Sequence, residues 1–127
     1  VENDNAQNND LELALLAQRQ LDAYNAKDID AIMACFATDC RLYEFPDRLL
    51  CEGTVAIRER HIARFREPDL HAKLLHRCVV GNIVVDQERV LRTLPQGRAE
   101  VDVVAIYEIE GGVISKAWFK MGQPRLR

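Results

Sequence analysis

From Ala99 to Met121 the chain reads AEVDVVAIYEIEGGVISKAWFKM. Apolar and polar residues alternate with a period of two on both sides of Gly111-Gly112, the pattern of two long antiparallel strands joined by a tight turn. Taken as a two-residue loop, the glycine pair sets Ile109 opposite Ile114, Tyr107 opposite Lys116, Ala105 opposite Trp118 and Val103 opposite Lys120. The face carrying Ala99, Val101, Val103, Ala105 and Tyr107 is apolar throughout and is expected to meet the helices. Cross-strand partners share a face, so Lys116, Trp118 and Lys120 are expected to point inward as well. Lysines there need a carboxylate, a polar cavity or an opening to water. The opposite face, with Val104, Ile106, Ala117, Phe119 and Met121, is left apolar with no helix to cover it. That predicts a homodimer through the outer sheet face.

Upstream of this hairpin, strands are predicted at about 71–80, 82–86 and 88–94, and before them the period is helical. Leu13, Leu16, Ala17, Leu21 and Tyr24 form one stripe of a helix beginning near Asn9 or Asp10, with Glu12 at capping-box spacing, and ending near Ala26. Asp28 caps a second helix carrying Ile29, Ile32, Met33 and Phe36. Arg41 to Phe45 reads as a short strand stopped by Pro46-Asp47. Gly53-Thr54 opens a third helix with Thr54 as N-cap, and Pro68 closes it. Ile57, His61 and Phe65 lie four apart, so His61 shares that helix's apolar face. Residues 1–10 are Asn-rich and polar and are expected to be a loose tail. Residues 11–127 then form one α+β domain, with three N-terminal helices packed on a curved, mostly antiparallel sheet.

Several function classes drop out on composition. A length of 127 residues fits one domain, and the net charge of −3 comes without a basic stripe, which argues against a nucleic-acid partner. No apolar run approaches the roughly 20 residues of a membrane span. No leader pattern is visible, so a cytoplasmic location is expected, although the opening Val1 leaves room for a leader ahead of it. Cys35, Cys40, Cys51 and Cys78 show neither a CxxC pair nor ligand spacing. His71 and His76 fall on opposite faces of a strand, so no metal site is expected. No phosphate-binding or dinucleotide fingerprint is present, and no cofactor is expected. Asp86 and Glu88 share a face and read as two solvated acids at a strand turn.

Three segments carry a family likeness: NAKDIDAIMACFATDCRLYE at 25–44, GTVAIRE at 53–59 and YEIEGGVISKAWF at 107–119. They resemble the SnoaL-like, nuclear-transport-factor-2-like superfamily, in particular its ketosteroid isomerase branch. The resemblance implies a cone-shaped, cystatin-like roll with a strongly curved mixed sheet around one small-molecule pocket. It places the isomerase's carboxylate base on Glu44. The two oxyanion-hole positions, a tyrosine and a protonated aspartic acid in the isomerase, fall on Gln20 and Ala105, and a supporting tyrosine falls on His61. With both hole residues replaced, steroid isomerisation by that mechanism is not expected. The pocket is expected to be lined by Gln20, Tyr24, Arg60, Ala105, Tyr107, Trp118 and Lys120. Glu44 would act as general base on a small carbonyl-type substrate, assisted by His61. Lys116 would stabilise the oxyanion or pair with Glu44. The reaction would be a cofactor-independent isomerisation, lyase or cyclase step. The alternative is a non-catalytic ligand-binding module acting as a dimer.

Overall fold

Asp28 sets the entry of the chain into the fold. It closes off α1 (Glu2–Ala26), and its carboxylate accepts the Ala31 N–H at 3.0 Å to cap α2 (Ile29–Met33). The computed structural model describes residues 2–127, with side chains from Asn9 onward. The tail expected over residues 1–10 falls mainly on residues whose side chains lie outside that range. The expected second helix is shorter than its periodicity suggested. Phe36 opens β1 (Phe36–Glu44) instead of closing the helix, because it pairs with Ile114 while the Cys35 carbonyl accepts the Ile114 N–H at 2.8 Å. Tertiary pairing overrides the local period here.

After β1 come β2 (Arg48–Glu52) and α3 (Gly53–Arg64). Gly53 has a φ of +87°, a turn that residues with a Cβ adopt only with strain. The N-cap position is Glu52 and not Thr54: the Glu52 carboxylate pairs with Arg41 across β1 and β2, and the Thr54 hydroxyl donates to the Thr38 carbonyl. Then follow β3 (His71–Val80), β4 (Ile83–Leu94), β5 (Gly97–Glu110), β6 (Val113–Met121) and the two-residue β7 (Arg125–Leu126). The segments expected as separate strands at 82–86 and 88–94 are one strand, paired along its whole length with β5. The sheet order is β2-β1-β6-β5-β4-β3 with β7 on β5. Only β1–β6 is parallel among the described pairs, so the sheet is mixed and mostly antiparallel, as expected.

The closing hairpin departs from the expected register. Ile109 does face Ile114, but Ser115 is an extra residue, and pairing resumes as Glu108 with Lys116, Tyr107 with Ala117 and Ala105 with Phe119. The Ser115 hydroxyl donates to the Glu108 carbonyl at 3.0 Å. One inserted residue exchanges the faces of everything beyond it. Lys116, Trp118 and Lys120 therefore point outward, and Ala117 and Phe119 point to the core. Energetics favours this register, since unpaired lysines under the helices would lose their hydration. Of the five residues expected on the outer face, Val104 and Ile106 stay there, whereas Ala117, Phe119 and Met121 lie on the inner side.

The inner face packs on the helices through Leu16 and Ala17 of α1, Ile32 of α2 and Ile57 of α3 against Leu42, Tyr107, Ile114 and Ala117. A second cluster, Leu21, Leu70, Ala72 and Val90, joins α1 to β3 and β4. Both Leu21 and Ala72, with Leu42 and Phe36 from the first cluster, also line a cavity. No helix among the described residues is long and apolar enough to cross a membrane.

Candidate active site

The cavity has a volume of about 100 Å³. Its apolar wall comes from Phe36 and Leu42 of β1, Val90 of β4, Val101 and Val103 of β5, and Phe119 of β6. About half of the lining side chains are polar, each placed by the strand or helix that carries it.

Along β4 the inward phase is Val84, Asp86, Glu88 and Val90, all buried. Asp86 is fully enclosed and paired with Arg77 through two bonds, Nε to Oδ1 at 2.7 Å and Nη2 to Oδ2 at 2.9 Å. Arg77 also donates to Gln18 Oε1 at 2.9 Å. The pair is thus satisfied and structural. Glu88 is different. It is only 7% exposed, lines the cavity, and has no hydrogen bond or ion pair among the described residues. Burial, reinforced by the Asp86 charge and partly opposed by Arg77, pushes its carboxyl up to about 7. Reading Asp86 and Glu88 as solvated acids was incorrect. The available signal was their position in the apolar phase of the strand, between Val84 and Val90.

Beside Glu88, the Tyr107 hydroxyl is buried and donates to Gln20 Oε1 at 3.2 Å. Burial, with the charges of Glu88 and Asp86, raises the Tyr107 pKa well above that of a free phenol, so it stays neutral. Gln20, 7% exposed, keeps its amide NH2 for the cavity. On α3, His61 Nδ1 lies 2.8 Å from the Ile57 carbonyl. A carbonyl only accepts, so Nδ1 carries the hydrogen and Nε2 the lone pair. Burial lowers the His61 pKa; the bond to Ile57 opposes this, and Arg60 and Arg64 add to it. The ring packs between Phe36 and Phe65, with centroids at 5.6 and 5.9 Å.

Three arginines cluster on one side of the cavity: Arg60 and Arg64 from α3, Arg92 from β4. Arg92 grips Glu67 with Nε to Oε1 and Nη2 to Oε2 both at 2.8 Å, and the Thr93 N–H adds a bond to Oε1 at 3.0 Å. Arg64 reaches the same carboxylate at 3.5 Å and donates to the Tyr24 hydroxyl at 3.3 Å. Arg60 has neither an ion pair nor a hydrogen bond among the described residues. Burial, then Arg64 and Arg92, lower its pKa.

Of the expected site residues, Gln20, Tyr24, Glu44, Arg60, His61 and Tyr107 converge on the cavity. Glu44 reaches its lining from the end of β1, where it is half-exposed and bonded to Arg48 Nη2 at 2.5 Å. The Arg48 bond and charge hold its pKa below the ordinary carboxylate value. A carboxylate so placed is a weak base. Ala105 is fully buried in the core and does not line the cavity. Lys116, Trp118 and Lys120 are on the other face because of the Ser115 bulge, Trp118 stacking on Tyr43 at 5.6 Å. No Glu44–Lys116 ion pair forms among the described residues; Arg48 holds Glu44 instead. Glu88, Arg64 and Arg92 are the charged cavity residues that sequence reasoning missed. Among the described residues no group of three His, Cys, Asp or Glu could hold a metal ion.

The SnoaL-like domain family matches residues 17–117. An uncharacterized cystatin-fold protein from Novosphingobium aromaticivorans is 29% identical, with 85% of this chain and 96% of that one covered and a TM-score of 0.77. An LEH-like epoxide hydrolase from M. tuberculosis is 14% identical over 88% of this chain and 84% of that one, with a TM-score of 0.77. SalBIII, an epoxide hydrolase/cyclase-like enzyme of pyran ring formation in the polyether salinomycin, is 17% identical over 89% of this chain and 92% of that one, with a TM-score of 0.79. At these last two identities the likeness is one of fold. No curated protein matches the chain.

Proposed function

Since the chain belongs to the SnoaL-like domain family, we propose that its cavity takes a small carbonyl-type molecule and that Glu88 moves a proton on it without a cofactor. The single observation behind this reading is an unpaired carboxyl on the cavity wall, pushed up to about 7. Such a group is part base and part acid at neutral pH, the condition for proton abstraction and return. In this reading the Gln20 amide donates to the substrate oxygen, while Tyr107 fixes that amide from behind. His61, neutral with its Nε2 lone pair, accepts a hydrogen bond from the substrate. Isomerisation, elimination and ring closure all begin with such a transfer, and the hydrolase and cyclase names of two structural neighbours are in keeping with that class.

A binding module without chemistry is the second reading. It is favoured by the replacement of both oxyanion-hole positions, which leaves Gln20 as a neutral donor where the isomerase has an acidic pair. Proton exchange separates the two. With small enolisable ketones in D2O, the protein is expected to speed α-deuteration followed by NMR, and Glu88→Gln to slow it about 10²-fold or more. An undiminished rate in Glu88→Gln removes Glu88 from the mechanism. Ligand binding without any exchange supports the binding module.

A further inference from the structure

We infer that the ligand of this cavity carries a carboxylate, and that Arg60 is the residue that receives it. This rests on the cavity being a small-molecule site, as proposed above, but not on Glu88 being its base. The argument is one of charge partners. Arg77 is matched by Asp86, Arg48 by Glu44, and Arg92 by Glu67, which Arg64 shares. Arg60 alone of the three arginines lining the cavity has no acceptor among the described residues, although it is half-buried between Tyr24, Arg64 and Arg92. A guanidinium partly withdrawn from water and repelled by two neighbours of its own sign is a costly arrangement. An anion arriving there relieves both the lost hydration and the repulsion.

Geometry narrows the class. The planar guanidinium fork matches a carboxylate through two parallel bonds. Arg60 approaches from the helical side, and Phe36, Leu42, Val90 and Phe119 give the lining an apolar wall beside its polar groups. The fitting molecule is a small organic acid with its carboxylate on Arg60 and its hydrocarbon part against that wall. Glu88 enters from the sheet, and with its carboxyl pushed up to about 7 it is mostly protonated at mildly acidic pH, where it repels the ligand little. Arg64 and Arg92 add long-range attraction while remaining tied to Glu67.

The test compares phenylacetate and hexanoate with phenylacetamide and hexanamide, and with phenyl phosphate, by calorimetry at pH 6.5. The carboxylates are expected to bind at least tenfold more tightly than their amides. Arg60→Met is expected to abolish that preference, and an unchanged circular dichroism spectrum and cooperative melting show that the variant folds. Arg60→Lys, keeping charge without the fork, is expected to fall between them. Equal binding of acid and amide by the unaltered protein overturns the inference, as does a preference that survives in Arg60→Met, or tighter binding of phenyl phosphate. Glu88→Gln keeps the carboxylate preference if the inference holds. Loss of proton exchange in that variant reports on the base alone, so the two ideas fail separately.

Discussion

A carboxyl titrating near neutrality has consequences for stability as well as for chemistry. Glutamate in the unfolded chain titrates at its ordinary value of 4.5, whereas in the folded protein Glu88 is pushed up to about 7. Between those two values the folded state holds a proton that the unfolded chain has released. The contribution is therefore fully present below about pH 4.5, declines as pH rises, and is lost above about 7, a change on the order of 3 kcal/mol. Urea titrations at a series of pH values are expected to show this decline, and Glu88→Gln to flatten it. A pH-independent difference between the two proteins would mean that Glu88 titrates at the same value in the folded and unfolded states. Asp86, two residues away, behaves oppositely on mutation. Asp86→Ala strands Arg77, whose side chain is 13% exposed, and is expected to cost about 3–5 kcal/mol by denaturant unfolding. Simultaneous replacement of Arg77 by Met would recover part of that loss.

At the level of elements, local signals and long-range ones separate cleanly. Asp28 as a cap was legible because its carboxylate acts on the Ala31 N–H, three residues away. Asp28→Ala is accordingly expected to cost about 1 kcal/mol, measured as a shift of the denaturation midpoint. His61 on the apolar face of α3 was legible for a similar reason, since its spacing from Ile57 and Phe65 is a property of one helix. Strand limits at 71–80, 97–110 and 113–121 follow the period of two and come within a residue of what alternation and the glycine turn suggest. Facing was not legible. The bulge at Ser115 puts two residues between the inward Ile114 and Ala117 and has no signature in the local sequence, so Lys116, Trp118 and Lys120 were placed on the wrong side. The same limit hid Glu88. Its burial depends on β4 being one continuous strand paired with β5, and the phase shared with Val84 and Val90 carries that signal only when the strand is not divided at Gln87. Deleting Ser115 tests the bulge directly. With the extra residue gone, Glu108 still meets Lys116 and Tyr107 still meets Ala117, so the lysines stay outside and cooperative urea unfolding is expected to be retained; its loss would mean that the bulge itself is needed for the fold.

At the level of the whole molecule, the bulge also rewrites the proposed dimer surface. The proposal of a homodimer through the outer sheet face keeps Val104 and Ile106, and replaces Ala117, Phe119 and Met121 by Val85, Tyr43 and Trp118. These side chains share one face, since Val85 pairs with Ile106, Ile106 with Trp118 and Trp118 with Tyr43. Around them stand Lys116 and Lys120 on β6 and Asp102 and Glu108 on β5, so two copies related by a two-fold axis could set acids of one against lysines of the other. A substitution at the centre of the patch is the informative one, because interface energy concentrates there. Ile106→Asp puts a charge between Val85 and Trp118 and, if the face is an interface, is expected to convert a dimer to a monomer in sedimentation at micromolar concentration. Val80→Asp, 74% exposed at the end of β3, serves as the control and is expected to leave the state unchanged. A monomer already present in the unaltered protein at that concentration would remove the interface. The cavity opens on the inner side of the sheet, so ligand affinity is expected to be the same in both states.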